Sequence, residues 1–90
     1  MAESNVIAPV VNINGTSAEE LLNQLQGASE AISIAFKALQ EAYPHGRDYQ
    51  TAPQGTYQQA REQYNVWFGQ LNDIKEALGQ IGNEIWKQKR

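Results

Sequence analysis

The apolar positions of this chain recur at helical spacing over two long stretches. In the second, Tyr57, Ala60, Tyr64, Trp67, Leu71, Ile74, Leu78, Ile81 and Ile85 are separated alternately by three and four residues. That is a heptad seam. It predicts one long helix over about residues 56–88, starting near Thr56, or at Pro53 if Thr51 is the cap, with an apolar stripe facing a partner helix. Phe68 and Trp86 fall on a flank beside the seam, near Gly79 and Gly82. A mid-helix glycine costs up to about 1 kcal/mol relative to alanine, which a close helix crossing would offset.

The first stretch predicts a helix over about residues 16–43. Thr16 and Ser17 are each followed three residues later by a glutamate (Glu19, Glu20), so either can form a capping box. Pro44 disfavours continuation at the other end. At about 1.5 Å per residue the rod is roughly 40 Å long. Leu21, Leu25, Ile32, Phe36, Leu39 and Tyr43 make one stripe, and Ala28, Ala31, Ala35, Ala38 and Ala42 run beside it. The joined face is wider than one partner helix can cover.

Residues 1–15 read as an extended arm. Val6, Ile7, Val10, Val11 and Ile13 are mostly β-branched, Pro9 opposes helix, and Asn14-Gly15 signals a turn. A lone strand has no partner in a two-helix chain, so the arm either lies along the hairpin groove or pairs with another subunit. Pro44, Gly46, Pro53 and Gly55 mark residues 44–55 as the connecting loop. The expected fold class is therefore all-α: an antiparallel two-helix hairpin (residues 16–90) with an extended N-terminal arm. Two helices alone leave Leu25, Phe36, the alanines, Trp67, Phe68 and Trp86 incompletely covered. This points to a homo-oligomer, first of all a dimer forming a four-helix bundle. The alternative is that the arm covers the second face of a monomer.

Composition narrows the chemistry. The 90 residues contain no cysteine, which excludes disulfides and thiol catalysis and suits a reducing cytoplasm. Seven basic against ten acidic residues give a net charge of −3, which argues against duplex DNA as a partner. No apolar run is long enough for a membrane span, and the start lacks signal-peptide features. His45 is the only histidine, so no multi-histidine metal site is available within one chain. No nucleophile–base pair or phosphate-loop motif is present, and the carboxylates scatter over helix faces. Neither catalysis nor a metal or cofactor is expected.

The loop holds the densest chemistry. His45, Arg47, Asp48, Tyr49 and Thr51 arrive on a segment shaped by Pro44 and Gly46, next to the first turn of the second helix. That turn offers free amide hydrogens and a partial positive charge. Thr56 adds a hydroxyl, Arg61 follows about a turn on, and Tyr43, Tyr57 and Tyr64 supply aromatic walls. Arginine forks, hydroxyls and stacking rings suit a phosphate joined to a base. The same residues have a structural reading: Tyr43 and Tyr57 capping the bundle end, Arg47 on the last carbonyls of the first helix, Asp48 holding Arg47.

The stretch Tyr43-Pro44-His45-Gly46-Arg47-Asp48-Tyr49, with the helix after it, resembles small bacteriophage-encoded helical-hairpin proteins that carry a Tyr-Pro-x-x-Arg-Asp-Tyr loop. The resemblance covers roughly residues 39–86 and leaves out the arm. It implies a phage protein acting in the host cytoplasm, countering a host defence, with His45, Arg47, Asp48 and Tyr49 as the matching positions. Two functions follow as expectations. One is a non-enzymatic protein whose loop pocket (His45, Arg47, Asp48, Tyr49, Thr51, Thr56, Arg61) captures a small anionic, nucleotide-like ligand. The other is an inhibitor or adaptor that docks on a host protein through Val66, Phe68 and Trp86 or its acidic faces. A structural phage component is a third.

Overall fold

A computed structural model describes residues 6–89; residues 1–5 of the expected arm, and Arg90, lie outside them. Helix α1 spans Ala18–Glu41, a short 3-10 turn spans Gly46–Tyr49, and helix α2 spans Thr56–Trp86. No strand occurs among the described residues, so the fold is all-α. The helices run antiparallel: Leu22 lies against Gly82 at the open end, and Tyr43 meets Tyr64 at the loop end. The molecule is a rod measuring 61 × 26 × 17 Å.

Local chemistry sets the helix ends. Ser17 is extended, and its hydroxyl accepts from the Glu20 N–H at 3.1 Å, which satisfies one amide of the first turn of α1. At the far end Ala42 N–H donates to the Ala38 and Leu39 carbonyls at 3.2 and 3.1 Å, a tightening of the last turn. Pro44 then forces the chain outward and is itself buried, so α1 stops at Glu41 rather than near Tyr43. Helix α2 begins at Thr56 because Gly55, at φ 91°, takes the left-handed conformation that turns the chain into it. Thr51 is thus not its cap.

The seam of α2 differs from the expected one. Tyr57, Tyr64, Leu71, Leu78 and Ile85 recur every seven residues and serve two possible seams. One adds Ala60, Trp67, Ile74 and Ile81; the other adds Arg61, Phe68, Lys75 and Gly82. Phe68, Lys75 and Gly82 of the second meet α1, while Arg61 stays exposed and Ala60 and Ile81 of the first are half-buried. Phe68 packs on Phe36 with ring centroids 4.8 Å apart and on Tyr43 at 6.1 Å. The Lys75 ammonium donates to Ser33 Oγ at 2.6 Å, and a Cβ on Gly82 would sit 3.7 Å from Leu22 Cδ2. Trp67 and Ile74 are left 41% and 50% exposed. The apolar pattern favoured the other column because it counts lysine, arginine and glycine as surface. Packing uses them differently: Phe68 fills the space between two rings, the Lys75 ammonium reaches Ser33, and Gly82 lies against Leu22.

On α1 the half-buried stripe gains Leu22 and Ser29, while Ala28, Ala31, Ala35 and Ala38, and Ala42 just past its end, are all exposed. Ile85 is the one apolar residue among those described that is fully buried. The arm lies against its own hairpin at the open end. Val11 N–H donates to Gln88 Oε1 at 2.7 Å, and Gln88 Nε2 donates to the Pro9 carbonyl at 3.0 Å. One amide side chain thereby serves the arm as a neighbouring strand would. Beneath it is an open hollow of about 240 Å³ between Ile7, Pro9, Leu21, Leu25, Ile81 and Ile85. Gly15 N–H closes a turn onto the Asn12 carbonyl at 3.1 Å, and the Asn12 side chain accepts from Asn14 N–H at 3.0 Å.

Candidate functional site

Tyr57, in the first turn of α2, organises the loop end. The ring of Tyr49, carried on the 3-10 turn, lies 5.7 Å from it, and the Arg61 guanidinium stands over it at 5.4 Å. Residues Tyr57 and Arg61 are one helical turn apart, so their side chains meet on one face. The chain returns over this ring at Gly46, where a Cβ would lie 3.5 Å from Tyr57 Cε2. The turn is held by Asp48 N–H donating to the His45 carbonyl at 3.0 Å, and Ala52 N–H to the Tyr49 carbonyl at 3.1 Å.

Tyr43 supports Arg61 from the other side. Its hydroxyl donates to Asn65 Oδ1 at 3.4 Å. Hydrogen bonding with Tyr43, then the charge effects of Tyr43 and Tyr57, push the Arg61 guanidinium above its ordinary value. Arg61 is solvent-exposed and remains a full positive charge at the start of α2. That start has no side-chain cap hydrogen bond and no acidic residue in its first turn. Thr56 N–H donates to the Pro53 carbonyl at 3.1 Å, and its side chain is half-buried there.

The expected site residues separate into two groups. Tyr49 and Arg61 converge on Tyr57, with Thr56 next to it in the chain. His45, Arg47, Asp48 and Thr51 are all exposed. Their side chains make no hydrogen bond, ion pair or ring contact among the described residues; the ion pair found there is Lys87 with Glu84 at 3.2 Å. Arg47 therefore neither pairs with Asp48 nor reaches the carbonyls closing α1.

Tyr43 and Tyr64, which the sequence offers both as seam residues and as pocket walls, pack edge to face at 5.8 Å and continue through Phe68 into the hairpin's own aromatic core, with Trp67 at its exposed edge. The signal was available: Tyr43 continues the seven-residue series Leu22, Ser29, Phe36. Tyr57 as the hub had no signal of its own, because the fold of the loop brings Tyr49 and Gly46 onto it. Among the described residues no group of three or more His, Cys, Asp or Glu could hold a metal ion, and no helix is long and apolar enough to cross a membrane. Comparison of the chain with protein-family models, curated proteins and solved structures gave no match.

Proposed function

We propose that this is a non-enzymatic binding protein, active as a homo-oligomer, whose loop end takes up a small anionic, nucleotide-like ligand. The observation that carries this reading is the Arg61 charge held over Tyr57 beside a helix start with no side-chain cap. An anion there meets amide hydrogens and the helix dipole together. Arg47 pairs with the phosphate and His45 donates to it. Thr51 and Thr56 contribute hydroxyls, and Asp48 accepts from a sugar or base donor. A base stacks on Tyr49 or Tyr57. The scarcity of fully buried residues supports the oligomer. The loop resemblance supplies the setting: a phage protein that withholds a nucleotide signal from a host defence.

Titration calorimetry against mono-, di- and cyclic nucleotides, with inorganic phosphate as reference, tests this. Binding is expected for at least one class, weakening with salt. Arg47→Ala should abolish it with helical content and melting nearly unchanged, because the Arg47 side chain is exposed. No heat with any class at millimolar ligand, or equal loss of folding in the variant, overturns the reading.

A second reading rests on Trp86, which is 62% exposed with the Lys89 ammonium 4.6 Å from its ring centroid. An exposed aromatic of this size serves as an anchor for a protein partner. Phe68 is removed from that surface because it faces Phe36. A stoichiometric host protein that Trp86→Ala releases, with no small molecule bound, would favour inhibition or adaptation.

A further inference from the structure

We propose that a second copy of this chain docks on the face of the hairpin made by Ala28 and Ala35 of α1, Ala42 just past its end, and Trp67 and Ile74 of α2, with a two-fold axis along the rods. This deepens the oligomer part of the proposed function and is independent of its ligand part.

The face is defined at one end by the hollow where Leu21 and Leu25 meet Ile81 and Ile85. Stepping by heptads from Leu21 leads to Ala28, Ala35 and Ala42; stepping back from Ile81 leads to Ile74, Trp67 and Ala60. At the first step of this face Ile7 and Pro9 of the arm border the open hollow, with Ile7 itself 92% exposed. Beyond it the alanines are exposed, and so are Trp67 and Ile74. The adjoining columns add Gln24, Ala31 and Ala38 on α1, and Gln63, Gln70 and Ala77 on α2. No Asp, Glu, Lys or Arg stands on this face from Gln24 to Ala42 or from Ala60 to Ile81. Glu30, Lys37, Glu62 and Glu76 project on the opposite side. A charge-free centre is what distinguishes an interface core from ordinary surface.

Area argues that the fold is unfinished as a single chain. Its accessible surface is 7175 Å², whereas a compact monomer of 10.1 kDa exposes about 5,300 Å². The surplus is roughly 1,900 Å², part of it on the arm. A standard interface takes about 800 Å² from each partner.

Shape selects a copy of the same chain, and its orientation. Phe36 faces Phe68, and Ser33 faces Lys75, so Trp67 lies at about the level of Ala35 and Ala38, and Ile74 at about that of Ala31. Each level thus carries a bulky residue on α2 and a small one on α1. A two-fold axis along the rods keeps the levels and places α1 of one copy over α2 of the other, ridge into trough. All neighbouring helices are then antiparallel, as in up-down-up-down bundles. An axis across the rods would set Trp67 on the partner's Ile74 and leave alanine facing alanine.

Sedimentation equilibrium of the full chain tests the assembly. Twice the 10.1 kDa chain mass is expected at micromolar concentration. Ala35→Arg puts a charge on an exposed helix position without touching the hairpin, and should weaken association at least about 100-fold, the consequence of burying it unpaired. Lys37→Glu, on the opposite side, should leave it unchanged. In a Trp86→Phe background the emission of Trp67 should shift to the red on dilution, in step with the mass. A monomer with Trp67 red at every concentration (a face left for another protein), a monomer with Trp67 blue throughout (closure by its own arm), an assembly of three or more chains, or an Ala35→Arg protein that still pairs would each overturn the proposal. Rapid disulfide formation by Ala35→Cys would overturn the orientation, since only the crossed axis brings the two positions within the 7 Å that a disulfide needs.

Discussion

The rings of Phe36 and Phe68 lie 4.8 Å apart, inclined by 46°, across the middle of the hairpin. This contact fixes the rotation of α2 about its own axis. With Phe68 inward, the next residue back in the chain, Trp67, is carried about 100° round to the edge. Phe68→Ala should therefore lower stability by about 2–3 kcal/mol, the low end of the range for phenylalanine truncation because the ring is half-buried. Val66→Ala, at an exposed position, should stay within about 0.5 kcal/mol. Urea denaturation followed by circular dichroism compares the two. Equal losses would contradict the inward placement of Phe68.

The glycines of α2 are not there to admit a neighbouring backbone. A Cβ at Gly69 or Gly79 would meet nothing within 4 Å. Gly69→Ala and Gly79→Ala should each raise stability by about 0.5–1 kcal/mol, through propensity and a less flexible unfolded chain. Gly55→Ala should do the reverse, costing about 1 kcal/mol, because its φ of 91° is strained for any residue with a Cβ. Thermal melts of the three variants read the opposite signs.

Ser17 accepts the Glu20 amide at 3.1 Å and opens a helix that has two glutamates in its first turn. Ser17→Ala should cost about 1 kcal/mol, and Ser17→Asp should restore it. Thr16→Ala should have little effect. A larger loss at Thr16 would move the cap one residue back.

Gln88 holds the arm by hydrogen bonds at both ends of its amide, to Val11 and to Pro9. Gln88→Ala should leave α1 and α2 intact while the Val11 amide loses its protection in hydrogen exchange. Protection that survives would mean that the arm is held by apolar contact with Leu21 and Ile81 instead.

The candidate site was readable in parts. Arg61 and Tyr57 sit four residues apart on a helix, so their meeting followed from spacing alone. Tyr49 over Tyr57 did not, because it depends on a 3-10 turn in a loop with no periodicity. Arg47 and Asp48 are adjacent in sequence yet unpaired, since consecutive residues in a turn diverge. Of the two readings open for Tyr43, stripe residue and pocket wall, packing selects the first, because sequence gives the column a residue occupies and not the ring that will stack on it.

Helix number, a cap at Thr16 or Ser17 and the stop before Pro44 are local matters. They are written in side chains a few residues apart, whose steric and hydrogen-bonding preferences act without regard to the rest of the chain. Which column of α2 turns inward is another kind of question. Both seams share the series Tyr57 to Ile85, and their hydropathy favours the wrong one. The choice fell to long-range packing: a phenylalanine fitted between Phe36 and Tyr43, a lysine reaching Ser33, and a glycine set against Leu22. Those energies arise only when two distant segments are brought face to face, so no reading along one segment contains them.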